Sequence, residues 1–207
     1  MSLGTINLQK GQKIDLTKGN PGLAKIIVGL GWDEAPKPGG KGFLGGLLGG
    51  GSKTQSVDCD ASAILLDQNG KFTSKERLVY YGNLKSRCGS VKHTGDNLTG
   101  AGDGDDEQIL VDLSSVPGDI HKIVFVVNIY DCKGRKQDFG MIANAFIRVV
   151  NSSNNQELCR FNLTDNYSGK TALIVAEAYR HNGEWKFAAI GEGTSEVSLG
   201  EVVGRYQ

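Results

Sequence analysis

Thr171-Ala172-Leu173-Ile174-Val175-Ala176-Glu177-Ala178-Tyr179-Arg180-His181-Asn182-Gly183-Glu184-Trp185-Lys186-Phe187-Ala188-Ala189-Ile190 decides the fold. The first nine residues are ambiguous, because their propensities also allow a helix. Asn182-Gly183 resolves the choice, since that dipeptide supplies the two positive-φ residues of a tight hairpin turn, and a second apolar run follows it directly. The segment therefore reads as two antiparallel strands.

The same rhythm extends outward. Lys122-Ile123-Val124-Phe125-Val126-Val127-Asn128-Ile129-Tyr130 is apolar on both faces and predicts a central strand covered on both sides. Val57 to Leu66 reads as a strand ending in a turn at Asn69-Gly70, with Arg77 to Tyr81 as the return strand. Lys25 to Leu30 and Gln108 to Leu113 are further strands, and Ala145 to Val150 pairs with Glu157 to Leu163 across 151–156. Helix is expected from Ser195 towards Tyr206, with a helical turn at Phe139 to Asn144. Short strands with regularly spaced turns predict an all-β fold, a β-sandwich of two mainly antiparallel sheets with short helical segments and a C-terminal helix. At 207 residues the chain fits one domain, 1–207.

Gly95-Asp96-Asn97-Leu98-Thr99-Gly100-Ala101-Gly102-Asp103-Gly104-Asp105-Asp106-Glu107 holds five carboxylates and no Lys or Arg, in a chain of zero formal net charge. Like charges about 6 Å apart repel by roughly 3 kcal/mol at an effective dielectric of about 20. A solvated loop is one reading. The other is a bound cation, and hard oxygens on a glycine-rich loop suit Ca²⁺ better than Mg²⁺. The EF-hand spacing fails in either register, because Leu98 or Glu107 stands where Asp or Asn is needed. Asp58 and Asp60 form a second cluster, since residues two apart on a strand share a face. No Lys or Arg lies between Val57 and Gln68, so their partner comes from elsewhere in the chain, or is an ion, or is water. Asp33, behind Gly29-Leu30-Gly31-Trp32, is a further candidate.

Other classes are excluded or left without support. Balanced charge, 23 basic against 23 acidic residues, gives no case for nucleic-acid binding. No basic-then-apolar leader opens the chain and no run of 18 apolar residues occurs, so a cytoplasmic protein is expected. Cys59, Cys88, Cys132 and Cys159 are widely spaced without a C-x-x-C pair, which predicts free thiols, with Cys59 and Cys159 as core residues. The segment at about 35–56 is a Gly/Leu-rich insert, where Gly40, Gly42 and Gly45 match G-x-G-x-x-G without the flanking strand and helix of a nucleotide site. Its Phe43, Leu44, Leu47 and Leu48 are costly to leave in water and could dock on the sandwich or meet a partner or a membrane surface. No H-E-x-x-H or G-x-S-x-G appears, and no nucleophile or oxyanion donor set can be picked out, so a non-enzymatic protein is expected. His93 lies two residues before the acidic loop; a surface histidine is the simpler reading, lining the site the sharper one.

Together these residues resemble the TerD family, the tellurium-resistance and bacterial general-stress proteins. The matching stretches are Leu8-Gln9-Lys10-Gly11-Gln12, Val28-Gly29-Leu30-Gly31-Trp32-Asp33, Asp58-Cys59-Asp60-Ala61-Ser62 and Tyr81-Gly82-Asn83-Leu84-Lys85-Ser86. They continue through His93-Thr94-Gly95-Asp96-Asn97, Gly102 to Glu107, Asn144 to Arg148 and Tyr179 to Lys186. The insert and the Cys between Asp58 and Asp60 look like the stress-response branch of Bacillus-type bacteria. The resemblance implies a β-sandwich that binds two Ca²⁺ ions close together. By that likeness Asp58, Asp60, Asp96, Asp103, Asp105, Asp106 and Glu107 are ligands, with Asp33 and Asn83 as weaker carry-overs. Calcium would then order residues 95–107 and present a surface to a protein partner, other TerD-like proteins among the candidates. The alternatives are a scaffold acting through the insert with structural calcium, and a metal-dependent enzyme.

Overall fold

The Asn182-Gly183 turn forms as read, with φ of 52° and 82° at its two residues. It joins β11 (Ala172–His181) to β12 (Glu184–Thr194) in antiparallel register, His181 opposite Glu184. Strand β11 is not regular throughout. A bulge between Ile174 and Ala176 breaks the alternation, so Val175 and Ala176 both contact the main core while Ile174 faces outward.

The computed structural model describes residues 4–36, 56–95 and 104–207. The glycine-leucine insert with Phe43, Leu44, Leu47 and Leu48, and the carboxylates Asp96 and Asp103, lie outside the described residues. Two six-stranded sheets pack face to face. Sheet I runs in the order β1 (Ile6–Leu8), β10 (Gln156–Asn162), β9 (Ile142–Asn151), β3 (Lys25–Glu34), β7 (Glu107–Asp112), β6 (Val91–His93). Sheet II runs β2 (Lys13–Asp15), β12, β11, β8 (Lys122–Ile129), β4 (Cys59–Leu66), β5 (Leu78–Val79). All pairings are antiparallel except β1 with β10.

The inner faces supply one core. Ile26, Val28, Leu30 and Trp32 of β3 meet Ile123, Phe125, Val127 and Ile129 of β8 and their neighbours there. On the outer face of sheet II a second cluster joins Ile64, Leu66, Val124, Val126 and Ile174 to Val202 and Val203. Those valines belong to α2 (Leu199–Gly204), capped by Ser198, whose hydroxyl accepts the Glu201 N–H. The C-terminal helix thus explains why β8 is apolar on both faces: it is the middle of a sheet covered on both sides. The helical turn expected near Phe139 is a single 3₁₀ turn, Phe139–Met141.

Two elements differ from the sequence reading. The return strand after Asn69-Gly70 shrinks to β5, two residues long, because a 3₁₀ turn occupies Lys75–Arg77 and Tyr80 folds back onto Asn83. A short helix, α1 (Cys132–Arg135), follows β8, entered and left through positive-φ residues Asp131 and Lys136. Because β5 pairs only with Ala63 and Ile64, the first half of β4 has no strand on its outer edge among the described residues.

Candidate metal centre

Strands β3 and β8 end, and β4 and β7 begin, at the same end of the sandwich. This gathers the acidic residues of distant segments. Glu107 opens β7, and its side chain points inward with those of Ile109 and Val111. Its Oε2 accepts the Ala61 N–H at 2.6 Å, serving the edge of β4 that β5 leaves bare. A buried N–H without an acceptor would be costly, so here a carboxylate does the work of a missing strand.

His93 completes that junction, and the structure overturns the surface reading: both side chains of the His93–Glu107 pair are fully buried. Nδ1 accepts the Gly95 N–H at 3.0 Å, which leaves the ring proton on Nε2, 3.3 Å from Glu107 Oε2. One hydrogen-bonded line therefore runs from Gly95 through His93 and Glu107 to Ala61. It fastens both ends of the acidic segment to sheet II.

Asp106 and Asp105 turn different ways. Asp106 extends the β3–β7 ladder with its side chain: its N–H donates to Leu30 O and its Oδ2 accepts the Trp32 N–H at 2.7 Å. Burial holds its carboxyl above the usual carboxylate range; Asp33, Asp105 and Glu107 add to that rise and the Trp32 N–H opposes it. Asp33 is nearby on β3 and accepts from Asn144 Nδ2 at 2.8 Å. Asp105 instead lies on the outer face of sheet I, over Gly29, in a two-pronged pair with Arg148 at 2.7 and 3.1 Å. Gln108 Nε2 donates to it as well. This pair is the main cause that pushes Arg148 above its ordinary value. Asp105, expected as a ligand, thus spends one lone pair of each oxygen on Arg148.

Asp58 and Asp60 are buried, at 8% and 4% exposure, not facing water as an exposed strand start would. Asp58 Oδ2 meets Arg135 Nη1 at 3.2 Å, so part of the missing countercharge comes from α1. Cys59, between them, points into the core as expected. Its thiol pKa is raised well above normal, first by burial and then by Asp60, Asp58, Glu107 and Asp106 in that order. The field of four carboxylates thus reaches this one buried thiol. Asn83 serves differently: its Nδ2 donates to Leu78 O at 2.6 Å and closes the turn after β5.

Sequence reasoning missed Arg135 and Arg148. Both are basic residues far along the chain from their partners. Among the described residues, no three or more His, Cys, Asp or Glu side chains are grouped to hold a metal ion by themselves. The donors present are hard oxygens, however, and among the described residues Arg135 pairs with Asp58 and Arg148 with Asp105. Hard oxygens in excess of positive charge are the donor set a divalent cation such as Ca²⁺ requires. Among the described residues no helix is long and apolar enough to cross a membrane.

Comparison with known proteins gives this arrangement its relatives. The TerD domain model matches residues 4–206. The chain is 63% identical to stress response protein SCP2 of Bacillus subtilis (strain 168), over 97% of this chain and 98% of the relative. It is 51% identical to general stress protein 16U of the same organism, over 91% of each chain. Identity to the tellurium resistance protein TerD of Serratia marcescens is 45%, again over 91% of each. The fold is shared with the crystal structure of a homologue of telluride resistance protein from Streptomyces coelicolor A3(2), at a TM-score of 0.68 and 20% identity, covering 90% of this chain and 99% of that one. With its two antiparallel-rich sheets and its match over nearly the whole length, the chain belongs to the TerD family, among the stress-response and tellurium-resistance proteins.

Proposed function

We propose that this chain is a non-enzymatic, calcium-binding stress-response protein. The observation that carries the reading is that β4, with buried Asp58 and Asp60 at its start, and β7, with buried Glu107 bonded to Ala61 and Asp106 bonded to Trp32 at its start, meet at one end of the sandwich. Calcium supplies the missing positive charge there and takes oxygens from carboxylates in tolerant geometry. Asp60, Asp106 and Glu107 would hold it, with Asp33 alongside. Asp58 is paired with Arg135 and Asp105 with Arg148, so an arginine offsets part of the charge of each. The ion would fix the segment ends at Gly95 and at Gly104 to Glu107 relative to β4, and so set the surface this end offers to a protein partner.

The sign of the Asp106 shift yields a test. A carboxyl with a higher pKa in the folded state than in the unfolded one costs stability above that pKa, and the cost is relieved as pH falls through it. Neutralising Asp106 should do the same at pH 7. In calcium-free protein, Asp106→Asn therefore melts at the wild-type temperature or higher, since the amide oxygen still accepts the Trp32 N–H. With calcium at about 100 times its dissociation constant, the wild type should gain about 2.7 kcal/mol, a Tm rise of roughly 5–10 °C for a chain of this size. In Asp60→Asn/Asp106→Asn that rise should fall by more than half. An equal calcium-dependent rise in the double variant would remove these carboxylates from the site.

A further inference from the structure

At the end of the sandwich opposite the acidic residues, where β4 finishes at Leu66 and β8 starts at Lys122, lies a cavity of about 490 Å³. Leu65, Pro117 and Ile120 give it apolar lining, while Arg77, Arg87 and the Cys88 thiol give it polar groups. A concave site of this size, part apolar and part polar, is the usual setting for a small molecule. The calcium reading makes no use of it.

Cys88 is the exposed cysteine of the four; Cys59, Cys132 and Cys159 are buried. The buried hydroxyls of Ser86 and Ser90 lie 3.3 and 3.0 Å from its sulfur. Ser86 already donates to Val91 O, so Ser90 is the better placed of the two to donate to the sulfur. A hydroxyl donating there favours the thiolate over the thiol. Partial burial by itself would raise the Cys88 pKa, but the two hydroxyls and the backbone of Ser90 and Cys88 outweigh it, and the thiol falls below its ordinary value. Burial drives Cys59 and Cys159 the other way, Cys159 to about 12. The thiolate is the nucleophile in thiol chemistry, so reactivity is concentrated at the sulfur that lines the cavity.

The arginines define what the cavity suits. Arg87 pairs with Glu76 at 2.9 Å with both side chains more than half exposed, and such a pair is worth only about 0–1 kcal/mol. A carboxylate brought by a ligand can take the place of Glu76 at little cost. Arg77 pairs with Asp119 through Nη2, while its Nη1 is shut from water and has no acceptor among the described residues. We propose that Cys88 and this cavity form a thiolation site for a small disulfide that carries carboxylates, with Arg77 and Arg87 holding the carboxylate. The Cys88 thiolate attacks one sulfur of that disulfide; the new S–S bond forms as the old one breaks, and the electron pair leaves on the departing sulfur. The departing thiolate takes up a proton, balancing the one that the Cys88 thiol released. Cys88 is oxidised to a mixed disulfide and half of the reagent is reduced to a thiol, so no further oxidant is needed.

The reduced full chain is incubated with rising concentrations of glutathione disulfide, which carries carboxylates, or of hydroxyethyl disulfide, which carries none, and adducts are followed by mass spectrometry of the intact chain and its peptides. One glutathione per chain should appear, at Cys88, and its rate should level off with concentration because binding precedes exchange. The rate with hydroxyethyl disulfide should climb linearly. Cys88→Ser should melt like the wild type and take no adduct. Arg77→Gln/Arg87→Gln should lower the preference for glutathione disulfide over hydroxyethyl disulfide at least 5-fold, and the levelling-off in the wild type decides the matter even where that variant is too unstable to assay. Rates linear in both reagents would overturn the proposal and mark Cys88 as an ordinary exposed thiol. So would an unchanged preference in the double variant, or adducts on Cys59, Cys132 or Cys159 of the folded chain.

Discussion

Glu107→Leu should destabilise this protein by about 3 kcal/mol or more, the scale seen when one member of a buried, hydrogen-bonded charged pair is removed. Leucine fills comparable volume, so the loss would not come from a cavity. It would come from the Ala61 N–H, left without its acceptor at the bare edge of β4, and from His93 Nε2, left facing an apolar group. Each orphaned donor costs about 1–3 kcal/mol. At roughly 2–4 °C per kcal/mol for a chain of this length, Tm should drop by about 6–12 °C. Glu107→Gln provides the control, because its amide oxygen can still accept from Ala61. It should lose well under half as much, and equal losses in Leu and Gln would mean that the charge, not the acceptor, matters.

The second large effect is expected at Gly29. Its α-carbon faces the outer side of sheet I, and a Cβ built there would collide with the whole Asp105 carboxylate. Gly29→Ala must therefore expel a side chain that is 2% exposed and doubly paired with Arg148. Breaking such a buried pair costs about 3–5 kcal/mol. The assignment is checked by a double-mutant cycle with Asp105→Ala. Asp105→Ala alone should be costly, but adding Gly29→Ala to it should cost less than about 1 kcal/mol, since the obstruction has gone. Additive losses in urea unfolding would show that Gly29 resists a side chain for some other reason.

Gly29 and Asp105 also show how far the sequence could be read. The strands were legible because turn chemistry and alternation are local: Asn182-Gly183 demands a hairpin, and Lys122 to Ile129 can be apolar on both sides only in the middle of a covered sheet. The clustering of Asp58 and Asp60 with Asp106 and Glu107 was legible too, because uncompensated like charges are costly wherever they lie. Their division of labour was not. That Asp105 belongs to Arg148 and Asp58 to Arg135 depends on contacts 43 and 77 residues apart in sequence, fixed by sheet order rather than by any motif. His93 was misread for the same reason, since nothing local says that the edge of β4 opposite it is unpaired. The return strand at Arg77 to Tyr81 was overread, since the 3₁₀ turn at Lys75–Arg77, capped by Ser74, claims its first residue.

The calcium account stands or falls on one titration. Calorimetry of the wild-type chain with Ca²⁺, repeated with Mg²⁺, should give saturable calcium binding at about two ions per chain and distinctly weaker binding of the smaller ion, which tolerates irregular oxygen shells poorly. No saturable heat with millimolar calcium, together with an unshifted melting temperature, would mean that these carboxylates are balanced within the chain and that the end of the sandwich is built for something other than an ion.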